Sequence, residues 1–145
     1  MAKLRNINRE DRIYLSQDSH TSPYILTKLS GDKSEQVRWN VAANPNTPLR
    51  ILTKLSTDSD MGIRWNVATN PNTSLETLNQ LSDDTDPEVR RSVATNTNTP
   101  HETLTRLSGD TDVWVRRSVS LNPNTSPETL SQLDALEAAY LVTNS

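Results

Sequence analysis

The chain contains no cysteine and no phenylalanine, and three of its 145 residues are glycine. Without cysteine it can form no disulfide, no thiolate metal site and no iron–sulfur cluster. It also contains no glycine-rich phosphate loop and no G-x-S-x-G or HExxH motif. From these absences we expect no catalytic residues, no metal and no cofactor.

Apolar side chains are scarce as well, at 32% of the residues, and the mean hydropathy is -0.69. No stretch approaches the ~20 apolar residues of a membrane span, and MAKLRNINREDR at the start lacks the apolar segment of a secretory signal. A compact globule of this length would normally contain more apolar side chains. We therefore expect a thin, elongated core in a cytoplasmic protein with no membrane partner.

One pattern of 26 residues recurs without gaps, beginning at Thr21, Thr47, Thr73, Thr99 and Thr125. The segment VRWNVAANPN, residues 37–46, returns as IRWNVATNPN, residues 63–72. An unbroken period of this length predicts a solenoid of stacked units. We predict a single repeat domain over residues 1–145. Its parts are an N-terminal half-repeat (8–20), four full repeats (21–46, 47–72, 73–98, 99–124) and a C-terminal capping helix (125–145).

Each unit contains the signals of two short helices. The first is predicted to begin at a threonine N-cap, with a capping box such as Thr73–Glu76 and with Pro48 at the first helical position. Its two recurrent leucines are expected in the core. These leucines are residues 26, 52, 78, 104 and 130, and residues 29, 55, 81, 107 and 133.

The second helix of each unit is predicted to begin at a serine or aspartate N-cap and to end at an asparagine. The N-caps are Ser34, Asp60, Asp86 and Asp112, and the asparagines are Asn44, Asn70, Asn96 and Asn122. These asparagines are expected to adopt the left-handed conformation that ends helices. The final helix is expected to extend through Leu136 and Tyr140 and to seal the open end of the stack.

The consensus T-P-x-x-x-L-x-x-L-S-x-D-x-D-x-x-V-R-x-x-V-A-x-N-P-N resembles the leucine-rich repeat variant family, which is HEAT-like in organisation. The resemblance is close over residues 21–124. It implies an all-α, right-handed superhelix in which an α-helix alternates with a shorter, often 3-10, helix, and it implies no single activity. Some members of the family carry an N-terminal cysteine cluster for iron–sulfur, which this chain cannot have.

A row of large side chains is predicted on the outside of the second helices. At about 100° per residue, Trp39 lies on the face opposite Val37 and Val41. The same position holds Trp65, Arg91 and Arg117 in the following units. Tryptophan and arginine are enriched at binding hot spots, so these four residues, which we call the Trp/Arg row, are candidate partner-binding residues. The alternative is that the indoles cover the groove between units.

A second candidate site is basic. It comprises Arg38, Arg64, Arg90 and Arg116 in equivalent positions, with Lys28, Lys54 and Arg106 on the first helices. Functionally these side chains could bind phosphates. Structurally, each arginine can pair with a turn aspartate. A residue that is present in every repeat more often stabilises the repeat than binds one ligand. The turn aspartates are Asp32, Asp58, Asp84 and Asp110.

The preferred function is therefore a non-enzymatic module that binds a protein partner with acidic groups, and a monomer is the expected state. The alternative is a nucleic-acid backbone binder, which the net charge of -3 disfavours. A further alternative is a scaffold, or a consensus-like piece of a longer array, with no activity of its own. The enzymatic alternative is a helical-repeat DNA glycosylase. Such an enzyme needs an acidic residue beside aromatic residues in a cleft, and this chain is short for a protein with such a cleft.

Overall fold

The computed structural model describes residues 7–143 of the chain. Those residues contain ten α-helices at regular spacing, which confirms the predicted all-α helical repeat. The helices are α1 (Arg9–Gln17), α2 (Pro23–Leu29), α3 (Glu35–Ala43), α4 (Leu49–Leu55), α5 (Met61–Thr69), α6 (Leu75–Leu81), α7 (Pro87–Thr95), α8 (His101–Leu107), α9 (Val113–Leu121) and α10 (Pro127–Thr143). The ends of the predicted domain, residues 1–6 and 144–145, lie outside the described residues.

Both helices of each unit are α-helical, so the short 3-10 helix that the family resemblance implied does not occur within residues 7–143. The seven-residue helix α2 shows why. The Leu26 N–H donates to the Ser22 carbonyl at 3.1 Å, and the Ser30 N–H donates to the Leu26 carbonyl at 3.0 Å. Both bonds span four residues, which is the α-helical spacing.

The units stack through two layers of helices. The nine-residue helices α1, α3, α5, α7 and α9 each pack against the next one in the series, and the seven-residue helices pack against their nine-residue neighbours. Between the layers lies a continuous core that contains nine of the ten recurrent leucines. Leu130 is half-buried, because no further complete unit covers it. Each fully buried leucine contributes about 1.5–3 kcal/mol to stability, so this file of side chains is the main apolar contribution to the fold.

The predicted threonine N-caps of the seven-residue helices are wrong. These helices are capped one residue later, at Ser22, Pro48, Ser74, Pro100 and their equivalents. Thr73 is buried instead, and its hydroxyl donates to the Val67 carbonyl of the preceding helix at 2.6 Å. Thr47, Thr99 and Thr125 make the same bond to the equivalent valine carbonyls. Because a buried carbonyl requires a hydrogen-bond partner, the threonine serves the end of one helix and not the start of the next.

The nine-residue helices begin and end where the sequence predicts. Asp60, for example, accepts a hydrogen bond from the Ile63 N–H at 3.1 Å, and Asn70 is the C-cap residue. The expected left-handed conformation of the asparagines is wrong, since Asn70 has φ -68° and ψ 126°, and no non-glycine residue between 7 and 143 has a positive φ.

The recurrent asparagines instead connect one unit to the unit before it. The buried Asn70 amide donates through Nδ2 to the Ala42 carbonyl at 2.8 Å and to the Asn44 carbonyl at 3.2 Å. Its Oδ1 accepts from the Asn72 N–H at 2.9 Å. Equivalent bonds are made by Asn44, Asn96 and Asn122. Only a side chain with both a donor and an acceptor can make all three bonds, which explains why asparagine recurs here.

The last helix, α10, continues well beyond the point at which the other helices of its layer end. Leu133 is buried, but Leu136 is 46% exposed and Tyr140 is 66% exposed. The prediction that these two side chains seal the end of the stack is therefore wrong. The reason lies in the sequence Asp134-Ala135-Leu136, which replaces the aspartate turn of the other units and lets the helix run on without turning back.

Candidate functional site

The indoles of Trp39 and Trp65 point outward, as the helical phase predicts. Val37 and Val41 on the same helix as Trp39 are fully buried, whereas Trp39 is 41% exposed and Trp65 is 37% exposed. More than half of each indole is thus covered by the protein itself. Each indole accordingly presents one part to the outside while the remainder packs on the repeat, as anchored hot-spot residues do.

The Trp39 indole lies beside the first turn of α5, in the next unit. A Cβ atom placed on Gly62 would be 3.5 Å from both Cδ1 and Nε1 of Trp39. The other units carry Gln36, Glu88 and Trp114 at the position of Gly62. The indole thus lies within contact distance of a side chain at position 62, and part of the interpretation of the tryptophans as groove covers applies to Trp39.

Beneath the two tryptophans of the row, a buried asparagine holds its helix to the preceding nine-residue helix. Asn40 donates through Nδ2 to the Ser16 hydroxyl at 3.0 Å, and Asn66 donates to the carbonyl of Trp39 at 3.2 Å. Asn40 and Asn66 are about 5% exposed or less. The backbone that carries the first indole is therefore tied directly to the following helix, which fixes the spacing of the row.

The two arginines of the row are exposed and contact residues of their own helices. The guanidinium of Arg91 is 3.4 Å from the carboxylate of Glu88, and that of Arg117 lies over the ring of Trp114, 5.6 Å from its centroid. Sequence reasoning missed Trp114, which is 53% exposed. Its position three residues before Arg117, one turn of helix away, is the signal that could have included it.

A groove of about 760 Å³ opens at the N-terminal end of the row, next to Trp39. It is lined by Arg9, Arg12, Lys33, Ser34, Glu35, Gln36, Trp39 and Asp60. Arg9 and Lys33 are exposed cations, and Glu35 is an exposed carboxylate. The groove can therefore take an apolar group against the indole and polar or acidic groups beside it.

The recurrent arginines Arg38, Arg64 and Arg90 bind aspartates of the following unit. In each pair Nε is 2.7 Å from the aspartate Oδ2, and Nη2 is 2.9–3.2 Å from Oδ1. The partners are Asp58, Asp84 and Asp110. Nη1 donates to turn carbonyls of the arginine's own unit, as Arg64 does to Asp58 at 3.0 Å. These guanidiniums form bidentate links between units, as expected if the recurrent arginines have a structural role.

The same links perturb the pKa of the aspartates. Burial of Asp84, whose side chain is 7% exposed, acts to raise its pKa. The hydrogen bonds from Arg64 and from the Asp86 N–H, together with the charges of Arg64 and Arg90, act in the opposite direction and prevail. The pKa of Asp84 is therefore lowered, and those of Asp58 and Asp110 are lowered for the same reasons.

Comparison with known proteins identifies the repeat. A family model described as leucine rich repeat variant matches residues 87–112, which include α7 and the Arg90–Asp110 pair. The repeat of this chain is similar to that of leucine-rich repeat variant proteins. A solved structure described as "a leucine-rich repeat variant with a novel repetitive protein structural motif" is similar, with 28% sequence identity and a TM-score of 0.70. The match covers 90% of this chain and 52% of the solved one, so this chain spans about half of that length. No curated protein matches the sequence.

The other basic candidates lie on the seven-residue helices. Lys28 lies over the ring of Tyr24, 5.5 Å from its centroid, and Lys54 donates to the Ser30 hydroxyl at 3.2 Å. Arg106 donates to Ser82 and to the Asn79 carbonyl. These cations therefore lie on the other helix layer from the Trp/Arg row.

Arg116 differs from its equivalents in the other repeats. Its Nη1 donates to the carbonyls of Asp110 and Thr111 at 2.8 and 3.2 Å, as in the other units. The residue twenty positions later is Leu136, where the preceding units have an aspartate. In the part of the chain that the structure describes, Arg116 has no carboxylate partner within ion-pair distance.

No group of three or more His, Asp or Glu side chains between residues 7 and 143 is arranged to hold a metal ion. Over the same range, no helix combines the length and the apolar character that crossing a lipid bilayer requires.

Proposed function

We propose that the protein is a non-enzymatic module for protein–protein interaction, and that it binds its partner through the Trp/Arg row and the adjoining groove. The observation that carries the proposal is the partial exposure of the two tryptophan side chains. Trp39 and Trp65 occupy the same position in adjacent units and are 41% and 37% exposed. Anchored but accessible tryptophans of this kind contribute strongly to binding when a partner covers them.

The charges beside the indoles favour a partner with acidic groups. Arg91 and Arg117 continue the row, and Arg9 and Lys33 line the groove next to Trp39. Glu88 and Glu35 lie among these cations, so the surface carries both signs. A mixed surface of this kind favours a specific protein segment, with an apolar residue against an indole and carboxylates near the arginines.

The geometry of the row favours a pre-organised site. Each member of the row sits on one of the nine-residue helices α3, α5, α7 and α9, and consecutive helices of this set pack against each other. The Asn66 amide also holds the Trp39 backbone. Because little side-chain and backbone freedom remains to be lost, binding to such a row carries a small ordering cost.

The nucleic-acid alternative has weaker support. Its phosphate track includes Arg38, Arg64 and Arg90, and these three guanidiniums already bind aspartates of the next unit. Releasing one for a phosphate would leave a nearly buried aspartate without its partner, which costs free energy.

The test compares two double variants in a displayed peptide library. Trp39→Arg with Trp65→Arg removes both indoles and installs the side chain that units three and four carry at the same position, so the fold is expected to persist. Leu49→Arg with Leu75→Arg is the matched control on the seven-residue helices, where these leucines are 55% and 52% exposed. We expect the wild type to enrich peptides with apolar and acidic residues.

The row variant should then bind those peptides at least about tenfold more weakly, a loss of about 1.4 kcal/mol, whereas the control variant should bind as the wild type does. Fluorescence anisotropy gives the dissociation constants, and circular dichroism checks that both variants are folded. Equal binding by wild type and row variant would overturn the proposal. Retardation of duplex DNA by the wild type at low salt, lost on raising the salt, would favour the nucleic-acid alternative.

A further inference from the structure

The ladder of arginine–aspartate links has one open position, at the C-terminal end. Arg12, Arg38, Arg64 and Arg90 each bind the aspartate twenty residues further along the chain. The fifth member, Arg116, has Leu136 at that distance. Its Nη1 bonds to turn carbonyls, but within residues 7–143 neither Nε nor Nη2 has an acceptor.

The molecule itself shows what such a guanidinium binds. In three equivalent units Nε and Nη2 together hold one carboxylate, at 2.7 Å and at 2.9–3.2 Å. The backbone around Arg116 repeats theirs, since its Nη1 makes the same two bonds to Asp110 and Thr111. Arg116 is therefore pre-oriented for a carboxylate that its own described chain does not supply.

The surface around Arg116 is an uncovered end of the stack. No further nine-residue helix follows α9 within the described residues. Ser120 is exposed on α9, whereas its equivalent Ala94 is fully buried beneath the next unit. On α10, Leu136 and Leu141 are 46% and 69% exposed.

The same end also carries acidic side chains. Asp134 and Glu137 are exposed on α10, beyond the point at which that helix leaves the stack. The last two helices of the stack thus carry a guanidinium without a carboxylate, two exposed carboxyl groups and two exposed leucines. A surface that contains both members of a charge pair can be complementary to itself, which is the requirement of a two-fold symmetric contact.

We propose that two copies of the chain associate through these C-terminal ends. In this dimer Arg116 of each copy binds Asp134 or Glu137 of the other, and the exposed leucines of the two α10 helices pack together. Charge complementarity favours a second copy over an unrelated partner, because both signs are present on the same end. The proposal departs from the monomer expected from the sequence, and it is independent of the Trp/Arg row.

Sedimentation velocity and light scattering over a wide range of protein concentration test the proposal. The wild type should approach twice the chain mass of 16.2 kDa as its concentration rises. Arg116→Glu should weaken association at least about tenfold, and so should Asp134→Arg with Glu137→Arg. The two acidic positions are exposed and lie beyond the buried Leu133, so that variant is expected to fold even if Arg116→Glu does not.

The decisive combination is the triple variant Arg116→Glu, Asp134→Arg, Glu137→Arg, which should dimerise again because the charges are exchanged. Arg50→Glu, an exposed change on α4, is the control and should associate as the wild type does. Trp39→Arg with Trp65→Arg should also remain dimeric, which separates this proposal from the proposed function. A wild type that keeps the mass of one chain at the highest concentration, or a dimer that survives both charge-reversal variants, would overturn the inference.

Discussion

Arg64 and Asp84 are twenty residues apart in the sequence, yet the Nε of Arg64 is 2.7 Å from Oδ2 of Asp84. The two side chains are 16% and 7% exposed, and they join one unit to the next. The same link recurs with Arg38 and with Arg90. In a chain with few apolar residues, these nearly buried charge pairs and the asparagine bonds supplement the thin leucine core at each junction between units.

Arg64→Lys is expected to lower the free energy of unfolding by about 1.5–3 kcal/mol, the range of hydrogen bonds to charged groups. A lysine keeps the charge but cannot hold both oxygens of Asp84 and the turn carbonyls at once. Urea unfolding followed by circular dichroism measures the effect. Arg50→Lys, at an exposed position, is the control and should change the midpoint little. An unchanged midpoint for Arg64→Lys would show that the link contributes nothing net.

Acid should destabilise the protein through the same aspartates. Burial favours a raised pKa at Asp58, Asp84 and Asp110, but the arginine and backbone hydrogen bonds outweigh it and lower the pKa of each. The folded state therefore binds these protons less readily than the unfolded state, whose aspartates titrate near ~3.9. Stability from this source is complete above about pH 5 and is lost as the pH falls below about 4.

Urea midpoints measured between neutral and acidic pH test this prediction, with Asp84→Asn as the comparison. The variant should be less stable at neutral pH, since Arg64 loses its charged partner. It should also lose less stability on acidification, because one of the three carboxyl groups is gone. Parallel pH profiles for wild type and variant would show that Asp84 does not titrate as its lowered pKa requires.

Asn70→Asp should destabilise the stack by about 2 kcal/mol or more. The change keeps the shape of the side chain but replaces Nδ2, which donates to the carbonyls of Ala42 and Asn44, with an oxygen that faces both. Buried acceptors are left without a donor and next to a negative charge. Thermal unfolding measures the loss. Asn79→Asp is the matched control, because Asn79 is exposed and its Oδ1 serves as an acceptor for Thr103.

Deleting residues 47–72 should leave a shorter protein that still folds. The deletion removes one whole unit and joins Asn46 to Thr73, so that Arg38 faces Asp84 at the distance that it now has to Asp58. Since each unit contacts its neighbours in the same way, the free energy of unfolding should fall by the contribution of one unit and of one interface between units. Helical content per residue should stay constant while the urea midpoint decreases. Loss of the helical signal would contradict stacking of interchangeable units.

Periodicity predicted most of the fold because each of its signals is local or repeats. The leucines at 26, 52, 78 and 104 and the outward phase of Trp39 follow from helical spacing within one unit, and the structure confirms both. The groove beside Trp39 depends on residues from neighbouring units, so it could not be found from the spacing alone.

The predictions for the buried polar residues failed for a physical reason. Thr73 and Asn70 both have local roles that are common in other proteins, as an N-cap and as a left-handed helix end. Here their partners are a carbonyl of the preceding helix and carbonyls of the preceding unit. Which bond a buried threonine or asparagine makes depends on which unsatisfied group lies nearest after stacking.

The sequence by itself determined the repeat length, the two helices of each unit and the apolar stripe, because these follow from periodicity and from helix propensity along the chain. Tertiary structure decided the partners of Arg64 and Asn70, the half-covered state of the indoles and the open end at Arg116. Those features arise from distances between units, and such distances exist only after one unit has packed on the next.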